Sequence, residues 1–128
     1  MTFSGRRVLV VEDEFLVSLA TTDLLESIGC EIVGPAASLA TAVQLAQLEA
    51  LDAAVLDINI AGELIWPAAA ELQHRRVPFL FVSALTPLMI FPTLFAAAPR
   101  LDKPLLQNRL LRHLSEMSGA SCGEPIFP

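Results

Sequence analysis

Short oily runs alternate with stretches of helical periodicity along this chain, and that alternation constrains the fold more than any other feature. Val8 to Val11, Cys30 to Val33, Ala53 to Leu56 and Val77 to Val82 each have the length and composition of a buried strand. Between them the apolar spacing turns helical. From Glu14 to Ile28, Leu16, Ala20, Leu24 and Ile28 recur every four residues, and Gly29 is placed to end the helix. Ser38 can cap a helix reaching Leu48, with Leu39, Ala42, Val43 and Ala46 marking one face. A loop containing Gly62 leads to an alanine-rich helix that ends near His74, and Pro78 falls at the start of the following strand, where a missing N–H is tolerated. Pro87, Pro92 and Pro99 leave room for only a short or irregular fourth helix. Arg100 to Asp102 then makes a minimal fifth strand, and a last helix runs from Leu105 to Met117 on the stripe Leu106, Leu110, Leu111 and Leu114.

Five strand–helix units joined by right-handed crossovers give an α/β fold, an open doubly wound parallel sheet. Its common form at this size is the flavodoxin-like (βα)5 arrangement with strand order 2-1-3-4-5. With 128 residues the chain is one domain, expected over residues 1–117 and followed by a flexible tail over 118–128. A formal net charge of -6 with no basic stripe argues against a nucleic-acid partner. Cys30 and Cys122 are isolated thiols without metal-ligand spacing, which fits a reducing cytoplasm. Phe79 to Pro99 contains no charged residue and approaches the length of a membrane span. Pro87 and Pro92 would interrupt such a span, and Phe79 to Val82 already reads as a strand, so no membrane segment is expected.

Charge collects at the ends of these runs. Glu12 and Asp13 close the first, Asp57 the third, and Lys103-Pro104 follow Leu101-Asp102. In a parallel sheet of this order the strand ends form one rim, and the first and third strands are neighbours at its switch point. Three carboxylates there repel one another unless a cation sits among them. Hard oxygen ligands, with no thiol or imidazole nearby in sequence, suit Mg²⁺ better than Zn²⁺. A carboxylate beside such a metal can attack phosphorus, with Lys103 neutralising further charge. Asp57 or Asp13 alone would read as a turn or capping residue, and Lys103 alone as a solvated charge. Their joint placement at the strand ends is what points to chemistry. His74 and His113 lie in helical stretches beside arginines and read as surface residues.

From Arg7 to Met117 the chain resembles the receiver domain of two-component response regulators. The family pattern is an acidic pair after the first strand, an aspartate after the third, Ser or Thr after the fourth and Lys-Pro after the fifth. Glu12-Asp13, Asp57, Ser83 and Lys103-Pro104 stand in those places. The resemblance implies that Asp57 accepts a phosphoryl group from a histidine kinase or histidine phosphotransfer protein. Glu12, Asp13 and Asp57, with the backbone carbonyl of Asn59, would hold Mg²⁺, and Ser83 and Lys103 would contact the phosphoryl oxygens.

Two departures stand out. Receivers usually carry Tyr or Phe three residues before the lysine, where this chain has Arg100, and it has no tyrosine at all. Many receivers place proline four residues past the aspartate, where this chain has Ala61 followed by Gly62-Glu63. Val77-Pro78-Phe79 leading into Phe81-Val82-Ser83-Ala84-Leu85, with a Gly-Glu after the acceptor, resembles the subfamily nicknamed FAT GUY after its Phe-Ala-Thr-Gly-Tyr motif. The motif's Gly and Tyr are not matched.

Three functions compete on this pattern. The leading one is a phosphoacceptor that signals by changing protein–protein binding, with turnover limited to its own phosphorylation and dephosphorylation. Arg100 favours a pseudo-receiver adaptor that binds partners without phosphate-driven switching. A metal-dependent phosphatase like the haloacid dehalogenases would want an aspartate two residues past Asp57, where Asn59 stands. Leu88, Met89, Ile90, Phe91, Leu94 and Phe95 are apolar around most of a helix. Region 85–117 is therefore expected to carry either a homodimer or effector surface or a loop folded over the sheet edge.

Overall fold

The computed structural model describes residues 4–83, 92–95, 98–102, 109–110 and 112–114. Its elements run β1 (Arg7–Val11), α1 (Phe15–Ser27), β2 (Glu31–Ala36), α2 (Leu39–Leu48), β3 (Ala53–Asp57), β4 (Asn59–Ile60), β5 (Glu63–Leu64), α3 (Trp66–His74), β6 (Phe79–Ser83), a single 3-10 turn (Thr93–Phe95) and β7 (Arg100–Asp102). Residues 109–110 and 112–114 are helical within the stretch expected from Leu105 to Met117. Lys103, Cys122, Leu106, Leu111 and the tail 118–128 lie outside the described residues.

Five parallel strands form one sheet in the order β2-β1-β3-β6-β7, the flavodoxin-like arrangement read from the sequence. Successive side chains of a strand point to opposite faces, so strands buried on both sides must be apolar throughout. Leu9, Val11, Ala54, Leu56, Phe79 and Phe81 pack on one face beneath α2 and α3. Val8, Val10, Val55, Leu80, Val82 and Leu101 pack on the other with Leu25 of α1 and with Leu110 and Leu114. Every residue of the central strand β3 is buried, Asp57 included. The catalytic-looking acids therefore end strands that have little freedom to shift.

Local signals account for most boundaries. Ser38 Oγ accepts the Thr41 N–H at 3.2 Å and caps α2, whose Ala42 and Ala46 are buried with Leu39 and Val43 packed beside them. Gly29, at φ +95°, donates its N–H to Glu26 O and closes α1. Pro78 precedes β6, and its carbonyl accepts the Ala54 N–H at 3.0 Å.

Three expectations needed correction. The buried residues of α1 are Ser18, Thr21, Thr22 and Leu25, whereas Leu16 of the expected stripe is 76% exposed and Ala20 is also exposed. A strict four-residue step overshoots the 3.6-residue turn by about 40° each time, so the series starts off the packing face at Leu16 and Ala20 and comes onto it at Leu24 and Ile28, which are partly buried against the core. β2 continues past Val33 to Ala36, because the Ala36 carbonyl accepts the Glu12 N–H at 2.9 Å. The loop around Gly62 is itself a small antiparallel hairpin, β4–β5.

The expected short fourth helix is represented among the described residues by the 3-10 turn. Phe95 there is buried in an aromatic cluster, stacked on Trp66 at 5.6 Å between ring centroids and edge-on to Phe81 at 5.8 Å. Its neighbour Leu94 is 56% exposed. Leu88, Met89, Ile90 and Phe91, on which the two readings of this apolar segment also rest, lie outside the described residues.

Candidate functional site

The rim follows directly from strand register. β1 and β3 pair in parallel through Val10↔Val55 and Val11↔Leu56, so Glu12 and Asp57 come next on adjacent strands. β6 lies on the other side of β3, with Asp57 opposite Val82, and half-buried Ser83 stands one residue further along. Glu12 and Asp57 are 5% and 6% exposed, while Asp13 is open to solvent. One carboxylate oxygen from each of Glu12, Asp13 and Asp57 lies within 4.8 Å of the others.

Such crowding is costly in water-poor surroundings, because each added negative charge raises the energy of its neighbours. A cation relieves it. The set of three carboxylates, all hard oxygens at the switch point of the sheet, can hold a divalent metal. Glu12 also accepts the Glu14 N–H at 3.1 Å, which holds its carboxylate against the turn into α1.

Of the residues singled out from sequence, the structure brings Glu12, Asp13 and Asp57 together and sets Ser83 on the neighbouring strand end. Asn59 opens β4 two residues past Asp57, and its Oδ1 accepts the Gly62 N–H at 2.9 Å. Lys103 lies outside the described residues, immediately after β7. Arg100 begins β7 and is exposed. His74 is exposed as expected, and His113 is partly buried. No helix among the described residues is long and apolar enough to cross a membrane.

Sequence reasoning missed two features of this end of the molecule. The Ala61 N–H donates to Asp13 Oδ2 at 3.0 Å, a long-range contact that the Gly62 turn signal hinted at without specifying. Phe15, Leu16 and Leu19 stand exposed at the start of α1, the helix that follows the acidic pair in sequence. The wrong helical face had placed Leu16 inside.

No family model matches the sequence. Among curated relatives, the transcriptional regulatory protein PdtaR of Mycobacterium tuberculosis is 34% identical over 82 residues, 63% of this chain and 40% of that protein. The solved structure of SdrG from Sphingomonas melonis superposes with a TM-score of 0.77 at 28% identity, over 92% of this chain and 99% of its own. The receiver domain of the sensor histidine kinase PA1611 from Pseudomonas aeruginosa superposes with a TM-score of 0.79 at 25% identity, over 91% of this chain and 99% of its own. This chain has the receiver-domain fold, and its sequence is similar to receiver domains of response regulators. The PA1611 receiver was solved with a magnesium ion coordinated in its active-site cleft. The matched region of this chain spans less than half of PdtaR.

Proposed function

We propose that this receiver accepts a phosphoryl group onto Asp57 from a histidine kinase or histidine phosphotransfer protein, and signals by altered protein–protein binding. The observation that carries the reading is the convergence of Glu12, Asp13 and Asp57 at the ends of two adjacent central strands. Those three carboxylates, with the backbone carbonyl of Asn59, would hold Mg²⁺, and a bound ion would supply positive charge against the phosphoryl oxygens.

The remaining work falls to the chain itself. A carboxylate oxygen of Asp57 forms a bond to phosphorus while the N–P bond of the donor phosphohistidine breaks, and the electron pair leaves with the imidazole nitrogen. Burial of Asp57 on a strand fixed on both faces keeps that oxygen oriented for in-line attack. Ser83 would donate its hydroxyl to one phosphoryl oxygen, and Lys103 would pair with another. The exposed apolar residues Phe15, Leu16 and Leu19 begin the helix that follows the acidic pair and would form part of the surface on which the phosphodonor protein docks. The place of action would be the cytoplasm.

A second reading has one observation in its favour. Arg100 occupies the position where a receiver's aromatic switch residue is expected, and an adaptor that binds partners without phosphate-driven change would need no such ring.

The test is to incubate the protein with Mg²⁺ and acetyl phosphate and measure intact mass for wild type and Asp57→Asn. A phosphoryl adduct on wild type alone supports the relay. If wild type gains none, even from a phosphorylated histidine kinase, the adaptor reading replaces it.

A further inference from the structure

The hairpin after the acceptor strand is built in an uncommon way. Asn59 pairs with Leu64 and Ile60 with Glu63, which leaves Ala61 and Gly62 as a two-residue turn with φ of +52° and +90°. Positive φ at both central positions is the type I′ geometry, whose twist matches the flanking strands. Gly62 adopts it freely. Ala61 carries a Cβ into the left-handed region at a steric cost, and it is one of two non-glycine residues with positive φ among those described. Backbone strain held at one position is a reason to look for what it secures.

What it secures is Asp13. The Ala61 N–H meets Asp13 Oδ2 at 3.0 Å across 48 residues of sequence. A carboxylate has two oxygens, so an amide held on one of them fixes the direction in which the other faces. Proline, which many receivers carry at this position, has no N–H and could not make this bond.

We propose that the Ala61 backbone amide is the positioning group for Asp13, and that the β4–β5 hairpin is thereby coupled to occupancy of the acidic site. The inference rests on the metal-binding reading given above. By linkage, a hairpin that improves metal binding is itself tightened when metal binds. The signal has a short route onward. The Ile65 N–H bonds to Ile58 O at 2.9 Å at the base of the hairpin, and the next residue, Trp66, stacks on Phe95. A receiver with arginine in place of the usual ring would thus carry site occupancy to its aromatic cluster through the hairpin.

Mg²⁺ titration of the full chain tests this, followed by Trp66 fluorescence, since the chain has a single tryptophan, and by the Ala61 amide resonance. Ala61→Gly keeps the donor and fits the turn, and is expected to retain wild-type Mg²⁺ affinity. Ala61→Pro removes the donor and, with its φ held at about −65°, the left-handed turn as well, and is expected to weaken Mg²⁺ binding by about tenfold while the rest of the fold is kept by circular dichroism. In wild type the Ala61 resonance should shift saturably with Mg²⁺. A folded Ala61→Pro variant with wild-type affinity overturns the proposal, as does an Ala61 amide that stays unmoved while Mg²⁺ binds. If Ala61→Pro does not fold, the wild-type amide shift decides alone. Wild type without saturable Mg²⁺ binding overturns the metal reading and this inference with it. Wild type that binds Mg²⁺ and gains the phosphoryl adduct, beside an equally tight Ala61→Pro, overturns this inference alone.

Discussion

At the N-terminal ends of the strands, Arg7 binds Glu31, meets Glu49 Oε1 at 2.8 Å and donates through Nε to Ala50 O at 2.7 Å, whereas at the C-terminal ends Glu12, Asp13 and Asp57 crowd within 4.8 Å of one another. The backbone N–H of Arg7 adds a bond to Asp52 Oδ2 at 2.8 Å, and Arg6 stands 3.8 Å from the other Asp52 oxygen. One end of the sheet matches each acid with a donor, and the other concentrates like charge. The first arrangement ties β1 to β2 and to the segment before β3. The second works against stability unless a cation joins it, which is what the proposed metal site would supply.

That contrast can be broken experimentally, beginning with the largest effect. Asp57→Asn should lose the phosphoryl adduct entirely by intact mass while unfolding no earlier than wild type, because it removes a charge from the crowded end. An adduct that persists would place the acceptor elsewhere. Asp13→Asn should weaken Mg²⁺ binding by about tenfold or more in a fluorescence titration, and should correspondingly shrink the rise in melting temperature that Mg²⁺ gives wild type. Arg7→Ala should cost about 1–2 kcal/mol in urea unfolding, discounted because its ion pairs are partly exposed. Its Mg²⁺ affinity should stay at the wild-type value. A drop there as large as that of Asp13→Asn would show that the two ends are not separate.

The smallest effect concerns Cys30, which is buried at the paired end of the sheet. Burial pushes its thiol up from the ordinary range, and the nearby charge of Asp52 pushes the same way. The folded protein therefore holds the proton more tightly than the unfolded chain. Stability from this group is full below the unfolded thiol's pKa and falls as pH rises through it toward the raised folded value. Alkylation of Cys30, followed by peptide mass, should be slow in native protein at mildly alkaline pH and fast in urea. Rapid native alkylation would contradict the burial.

Much of this architecture was legible in the residues, for reasons that can be named. Strands buried on two faces must be oily throughout, so β1, β3 and β6 announce themselves, and their order follows from the crossover rule. The acids were legible because charge at the end of such a strand has few structural uses. α2 was read correctly because its apolar residues occupy the packing face. α1 was misread in its first turns, because the packing face there is built from the hydroxyl residues Ser18, Thr21 and Thr22, whereas Leu24 and Ile28 do pack on the core as read. Thr22 satisfies its own Oγ1 on Leu19 O at 3.0 Å and is free to pack through its methyl, while Phe15 and Leu16 stand in solvent. Hydrophobicity alone points the wrong way in such a helix. The Asp13–Ala61 contact was illegible because alanine carries no signal for a left-handed turn, and only the paired strands around it force that conformation.

β2 is the outermost strand on its side of the sheet, and its exposed run includes Pro35 before the buried Ala36. Pairing with β1 skips from Leu9↔Val33 to Val11↔Ala36 at that point, so the strand is both bulged and short of one N–H. An incoming chain would find neither a straight ladder nor a full set of donors along this margin. A receiver molecule can therefore meet others at high concentration without its sheet being lengthened, strand by strand, from this side.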